Sequence, residues 1–355
     1  MASRLASLSL TLIALLGPIG CGSSSKDGPG DTPDARAQAD APVVPSPDAS
    51  DSRPAFRDCR GRAFTPAPNE DWRHTASGLV AASGDPGHSA QDQVVPPGTN
   101  AALPGKFAYG LTSQDLQDER VQVFLDDCTG WADLGVFATN DDGRISVPVV
   151  AFAAAGVYEV RFQVLGDGST TTSFLWVLPV ETRLVVTDID GTMTQSDAEL
   201  FMEILTGSHV PVPYPGAVDL TTAHHAGGYV VLYLTGRPYW LTQRTRDWLR
   251  DLSFTPGPLR VTDNNADAVP AESGVGDYKK ARLEEWLAAG YVIDFAYGNA
   301  ATDIYAYLGA GLDAADVWII GAHGGEQGTH AADGTWVPRL AEISALSPVS
   351  QPFVW

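Results

Sequence analysis

The hydrophobic rhythm of this chain changes three times. Leu5 to Leu16 is a run of apolar and small residues, too short to cross a bilayer comfortably. From Gly22 to about Pro54 large apolar side chains almost vanish, and Ser, Asp, Ala, Pro and Gly take over. Such a stretch buries too little surface to offset its ordering entropy, so residues 21–55 read as a flexible linker. Between 56 and 180 apolar positions alternate with period two. Arg120–Leu125, Arg144–Val149, Tyr158–Val164 and Thr172–Val177 are such runs, bounded by Asp141-Asp-Gly143, Gly156 and Gly166-Asp-Gly168. Short alternating runs between turn residues predict an all-β, immunoglobulin-like sandwich.

From 181 to 355 the pattern alternates between two periods. Leu184–Ile189, Tyr229–Leu234, Leu259–Thr262, Ile293–Tyr297 and Val317–Ile320 are nearly continuous apolar runs, the mark of strands buried on both faces. Tyr239–Leu252 and Tyr278–Ala289 between them carry apolar residues at helical spacing. Strands alternating with helices predict an α/β domain, a Rossmann-like parallel sheet covered on both faces. Val337 to Trp355 reads as a closing helix or tail.

Length and charge narrow the partners. A chain of 355 residues holds two domains and a sizeable core. Its formal net charge of -21 argues against nucleic acid and against simple electrostatic docking on anionic lipid. Arg4 precedes the first apolar run and Gly17-Pro-Ile-Gly-Cys21 follows it, so residues 1–20 read as a targeting segment. A small residue directly before Cys21 resembles a bacterial lipoprotein signal. That resemblance implies lipidation of Cys21, export to the bacterial cell envelope and a membrane anchor. Gly22 favours the outer membrane. Pro18 stands where such signals usually carry Leu, and an ordinary secretory peptide is the alternative. In an oxidising compartment Cys59 and Cys128 make an even pair, either a disulfide or two buried thiols. With no further cysteine and scattered histidines, a zinc site is not expected.

The densest chemistry follows the first apolar strand of the second half. Leu184-Val-Val-Thr leads into Asp188-Ile-Asp190, and Gly191 and Thr192 follow at once. Ligands of open parallel sheets bind beyond the carboxyl ends of strands, so both aspartates should stand at the mouth of a site. One carboxylate can attack phosphorus, and a second can protonate the leaving oxygen and then activate water. Two carboxylates this close repel, and Mg²⁺ suits the space between them. An acidic surface turn is the bland alternative.

Asp-x-Asp-x-Thr is the signature of haloacid-dehalogenase-type (HAD) phosphatases. The longer string Asp188-Ile-Asp-Gly-Thr-Met-Thr-Gln-Ser-Asp197 closely resembles the catalytic loop of the lipin family, Mg²⁺-dependent phosphatidate phosphatases with an LNS2-type domain. Three further stretches carry the resemblance in the same order. Thr235-Gly-Arg-Pro238 resembles the Ser/Thr motif, which implies that Thr235 and Gly236 bind phosphate oxygens. Arg237 then binds substrate, orders the loop, or forms a structural ion pair. Asp277-Tyr-Lys-Lys resembles the lipin Phe-Lys segment and selects Lys279 as the cation for the transferring group. Tyr297-Gly-Asn-Ala-Ala-Thr-Asp-Ile-Tyr-Ala-Tyr307 resembles the fourth motif and implies that Asp303 holds Mg²⁺, with Asn299 a ligand or neighbour.

The resemblance implies a division of labour. Asp188 is the nucleophile and Asp190 the acid and base. Asp188, the Asp190 backbone carbonyl and Asp303 hold Mg²⁺. Thr192 fixes the loop, Gly191 lets backbone approach the phosphate, and Thr194, Ser196 and Asp197 support the loop. Phosphatidylinositol-transfer proteins of the retinal-degeneration type resemble the whole plan, a sandwich followed by the phosphatase-like domain, and many of them lack the nucleophilic Asp. The gaps Thr194–Gly228 and 253–277 are too small for a cap with its own core, so the expected substrate is a phosphorylated lipid such as phosphatidate. A soluble phosphomonoester is the rival substrate, and a lipid-binding lipoprotein with an idle site is the rival class. His224 and His225 are expected on a helix surface, His323 and His330 in a solvated loop, and Arg244 and Arg246 on the surface.

Overall fold

A computed structural model describes residues 56–350 apart from 111–112, 150, 198, 200–201 and 203–208. The apolar run before Cys21, Cys21 itself and the whole linker lie outside the described residues. Among those described, no helix is long and apolar enough to cross a membrane.

The first half is β-rich. Short strands β1 (Arg57–Cys59), β2 (Ser89–Ala90) and β3 (Gln93–Val95) precede β4 (Ala101–Lys106) and the small hairpin of β5 (Ala108–Tyr109) and β6 (Gln114–Asp115). The longer strands are β7 (Arg120–Asp126), β8 (Trp131–Ala138), β9 (Arg144–Val149), β10 (Gly156–Val164) and β11 (Thr170–Val177). One sheet runs β3-β11-β10-β7-β8 with β1 beside β10, and a second runs β2-β4-β9. Period-two alternation sends Val121, Val123, Leu125, Val160 and Phe162 of the first sheet against Leu103, Ile145 and Val147 of the second. Among the described residues of this part the one α-helix is α1 (Thr75–Ala81). Gly156 lies inside the ladder as the first residue of β10 rather than in a turn before it, because β1 pairs alongside and a Cβ there would meet the Arg57 carbonyl at 2.8 Å. Cys59 and Cys128 are joined by a disulfide.

The second half is a parallel sheet. Its strands are β12 (Arg183–Thr187), β13 (Val230–Leu234), β14 (Leu259–Arg260), β15 (Val292–Gly298), β16 (Val317–Ile320) and β17 (His330–Ala332). The order is β14-β13-β12-β15-β16-β17, all parallel. Counted from β12 this is 3-2-1-4-5-6, the doubly wound order whose direction reverses between the first and fourth strands. Alternate side chains of β12 feed two cores. Leu184 and Val186 join Tyr278, Leu283 and Trp286 of α4 (Asp277–Ala288) and Ile304 and Tyr307 of α5 (Ala301–Gly309). Val185 joins Leu220 of α2 (Ala217–Ala226), Trp248 of α3 (Thr242–Asp251) and Ile343 of α6 (Val337–Ser344).

Sandwich and sheet share a core. Val94, Val157 and Trp176 belong to the same buried cluster as Leu184, Val230 and Trp286. Arg53–Trp355 is accordingly one compact unit. The expected surface position of Arg246 is overturned here. Its guanidinium bonds the fully buried Asp92 of the sandwich, 2.8 Å from Nη2 to Oδ1. His224 is likewise buried and bonds the Tyr297 hydroxyl at 2.7 Å, because α2 packs against β15 through that face. The strand containing His330 was expected as loop; its ring stacks on Trp318, with centroids 4.6 Å apart.

Candidate functional site

β12 ends at Thr187, and the chain turns away at Gly191 with φ of 69°. That left-handed conformation suits glycine. A Cβ there would lie 2.0 Å from Asn299 Nδ2 and 2.5 Å from Asp197 Oδ1. The turn therefore carries Asp188 and Asp190 to the strand tip while pressing the backbone against the loop after β15. Thr192 and Thr194 hold the turn. The Thr192 hydroxyl lies 3.2 Å from both Asp188 Oδ2 and Asn299 Oδ1, and Gly191 N–H donates to Thr194 Oγ1 at 3.0 Å. Trp336 adds a distant brace, its indole N–H donating to the Thr192 carbonyl at 2.8 Å.

β15 delivers the second acidic group. Asp303 sits in the first turn of α5, fully buried, and its Oδ2 accepts from the backbone N–H of Asn299 (3.0 Å) and Ala300 (3.1 Å). A carboxylate is favoured at a helix N-terminus. The other oxygen, Oδ1, takes the Lys279 ammonium at 2.6 Å, and the same ammonium reaches Asp188 Oδ1 at 2.7 Å. Lys279 comes from the first turn of α4. Three elements thus meet at the switch point of the sheet, where ligands of such folds bind.

Asp190 has a different partner. Arg237 grips it with two nitrogens: Nη2 to Oδ1 is 2.8 Å and Nε to Oδ2 is 2.9 Å. The guanidinium is fully buried, and its Nη1 donates to Thr245 on α3 at 3.1 Å. Thr235, also fully buried, reaches Asp190 Oδ2 at 3.4 Å. Of the roles left open for Arg237, substrate contact is not what the geometry displays; it is an ion pair that holds the second aspartate. Gly236 lies against Val275, which a Cβ would meet at 2.8 Å. The Asn299 side chain bridges Thr192 and Asp197, donating to Asp197 Oδ1 at 3.1 Å.

The charges do not cancel. Asp188, Asp190 and Asp303 face Lys279 and Arg237, which leaves one carboxylate in excess at a nearly buried spot. Burial pushes Asp188 up to about 7, Lys279 works against that, and Asp303 and Asp190 add to it. Burial alone pulls Lys279 down, but Asp188 and Asp303 outweigh it and hold the ammonium above its ordinary value. Among the described residues no three His, Cys, Asp or Glu side chains are grouped to hold a metal. Asp188 and Asp303 are nonetheless two neighbouring carboxylates that share the Lys279 ammonium, at a spot with one negative charge in excess. That suits Mg²⁺, which keeps several waters and takes few protein carboxylates.

Sequence reasoning offered an ion pair for Arg237 without finding Asp190 as its partner, and it missed the Trp336 brace. Their partners stand 47 and 144 positions apart, and no short-range pattern announces either.

Residues 185–321 match the model of the LNS2 domain of PITM 1-3, and residues 86–177 match the beta-sandwich domain of PITM 1-3. The chain therefore carries an LNS2 domain preceded by a β-sandwich. Membrane-associated phosphatidylinositol transfer protein 3 of Mus musculus is 31% identical over 266 residues, covering 73% of this chain and 26% of that protein. Protein retinal degeneration B of Drosophila melanogaster is 30% identical over 290 residues, covering 79% of this chain and 22% of the fly protein. The chain thus spans about a quarter of the length of these relatives.

Proposed function

We propose that this protein is a Mg²⁺-dependent HAD-type phosphatase that hydrolyses a phosphomonoester, with a lipid phosphate such as phosphatidate as its substrate. The observation that carries the reading is the single ammonium of Lys279 bonded to both Asp188 and Asp303 at the carboxyl ends of β12 and β15. The mouse relative is by name a membrane-associated phosphatidylinositol transfer protein, which supports a lipid ligand.

In this mechanism Asp188 attacks phosphorus and the phosphorus–alcohol bond breaks. Asp190, once an Arg237 hydrogen bond is released and a proton is taken up from water, gives that proton to the departing oxygen. It then takes a proton from water as that water attacks the aspartyl-phosphate, which frees Asp188 and inorganic phosphate. Lys279 and Thr235 offset charge on the transferring group. Mg²⁺ would be held by Asp188, Asp303, the Asp190 carbonyl and Asn299, and would supply Lewis-acid stabilisation of negative charge on the phosphoryl group. Asp190 must release at least one Arg237 hydrogen bond to act.

That last requirement favours a second reading, a lipid-phosphate binder without turnover, because both oxygens of Asp190 are already engaged by Arg237. One experiment separates them: phosphate release from phosphatidate vesicles, nucleotides and sugar phosphates, with and without Mg²⁺. Turnover from phosphatidate alone that disappears in Asp188→Asn supports the first reading. Asp188→Asn retaining more than about a tenth of the activity refutes Asp188 as nucleophile. Vesicle binding with no release supports the second. We further propose export and a lipid anchor on Cys21, tested by labelled fatty-acid incorporation that Cys21→Ala should abolish.

A further inference from the structure

The strings that mark the site all end before Ala310, and the match to the LNS2 model ends at residue 321. Beyond that limit lies Trp336, at the start of α6 and fully buried. Pro215 pins the chain just before this helix: its carbonyl accepts the Trp336 backbone N–H and the Thr335 hydroxyl, each at 3.0 Å. Arg339, one turn on, ties the helix to β15 by donating to the Tyr297 hydroxyl at 3.2 Å.

Trp336 touches both features that fix Asp188. The first is Thr192, itself fully buried. Its hydroxyl lies 3.2 Å from Asp188 Oδ2, and its carbonyl accepts the Trp336 indole N–H at 2.8 Å. The second is Tyr297. Its carbonyl accepts the Asp188 N–H at 3.0 Å, and its ring meets the indole edge to face, with centroids 5.1 Å apart. A core that needed only filling would be served by Phe or Leu, with no polar N–H to satisfy in the interior. The groups assigned to the phosphate stand elsewhere: Thr235 follows β13, and Lys279 lies in α4.

We propose that Trp336 is a positioning residue for the reaction: through the Thr192 carbonyl and the Tyr297 ring it fixes the turn that aims Asp188 at phosphorus. This inference rests on the phosphatase reading above. A misplacement of about 1 Å can cost a reacting group about a hundredfold in rate. Phosphate binding by Thr235 and Lys279 does not depend on that turn. The signature of the role is therefore a fall in kcat at constant KM.

The test compares the full-length wild type with Trp336→Phe, which lacks the N–H, and with Trp176→Phe, the same truncation at a fully buried tryptophan of the sandwich. Phosphate release is measured on vesicles of phosphatidate in phosphatidylcholine with Mg²⁺. Amide exchange is followed in the turn, where the Met193 and Thr194 N–H groups donate to the Ile189 carbonyl at 2.8 and 3.0 Å. Trp336→Phe should lower kcat by about tenfold or more with KM within about twofold. It should also speed exchange at Met193 and Thr194 by about tenfold or more. Trp176→Phe should lower the melting temperature and do neither. The benzothienyl analogue of tryptophan at position 336 replaces the N–H by sulfur and keeps the ring. It should act as Trp336→Phe does, and it tests the hydrogen bond even where Trp336→Phe does not fold. The proposal is overturned by exchange in the turn as slow as in wild type, by a rise in KM at unchanged kcat, or by an equal loss of kcat in Trp176→Phe. A wild type that releases no phosphate overturns the phosphatase reading and this inference with it. Wild-type turnover beside unchanged kcat and unchanged exchange in Trp336→Phe overturns this inference alone.

Discussion

Replacing Arg237 by Ala should destabilise the protein more than almost any other single change in the LNS2 domain. The guanidinium is fully buried and spends its hydrogen bonds on Asp190 and Thr245. Its loss leaves Asp190, itself only 9% exposed, without its countercharge. Removing one partner of a buried pair costs about 3–5 kcal/mol because the other charge stays behind. Asp190 borders the cleft, so the lower end, about 3 kcal/mol, is expected. At about 2–4 °C per kcal/mol for a large domain, the melting temperature should fall by about 6–12 °C. Neutralising the stranded charge should return part of that loss. Arg237→Ala combined with Asp190→Asn is therefore expected to be more stable than the sum of the single changes by at least about 1 kcal/mol. Thermal and urea unfolding of the four proteins gives the cycle directly. A cycle additive to within about 0.5 kcal/mol, or a single variant as stable as wild type, would refute the assignment of Arg237 as the group that holds Asp190.

Three further outcomes follow from other parts of the molecule. Burial pulls His88 down to about 4 against the nearby Asp167 charge, and burial with Arg339 pulls His224 down to about 3. Both stay neutral in the fold while the unfolded chain protonates near 6.5, so stability is full above that pH and drains away as pH falls toward 3–4. By pH 5 each should cost about 2 kcal/mol, visible as a lower urea midpoint than at pH 7.5; an unchanged midpoint contradicts the buried neutral imidazoles. The Cys59–Cys128 bond spans a sequence separation of 69. Replacing both cysteines by Ala should therefore cost about 4 kcal/mol by loop entropy, and melts with and without dithiothreitol that coincide would argue against the bond. Gly191→Ala should lose about 2 kcal/mol or more and most of any turnover, since the new Cβ meets Asn299 and Asp197 at a left-handed φ; a wild-type melt would show that the loop after β15 yields freely.

Legibility followed from how local each feature is. β12, β13 and β16 were readable because strands covered on both faces become continuous apolar runs, as in Leu184-Val-Val and Val230-Val-Leu. The convergence of Asp188, Lys279 and Asp303 was readable from short strings, Asp188 and Asp303 just beyond strand ends and Lys279 in the first turn of α4. β17 was not, since His330-Ala-Ala has no apolar pattern and gains its place by pairing with β16 and stacking on Trp318. His224 looked like one of two adjacent surface histidines. Burial on α2 falls on Leu220, Thr221 and His224, a face with weak hydrophobic contrast, so periodicity offered no warning. Arg246 looked solvated for the same reason: its partner, Asp92, lies 154 positions away in the other half of the chain.

Asp92 explains why a sandwich travels with this sheet. The residue is fully buried, and a buried carboxylate is tolerable only when its oxygens are satisfied. Its Oδ1 accepts from Phe174 N–H at 2.8 Å within the sandwich, and its Oδ2 accepts from Leu259 N–H at 2.9 Å in β14. Arg246 of α3 supplies the countercharge, and Arg260 of β14 reaches the Asp92 carbonyl at 3.2 Å. Gln91 adds a bond between its side-chain amide and the Val261 carbonyl at 3.0 Å. The sandwich therefore fixes β14 and α3, and α3 is the helix whose Thr245 steadies Arg237 against Asp190. An element with no catalytic cluster of its own thus sets the position of the second aspartate through one buried charge and one helix. This ties the two halves of the chain into a single physical unit.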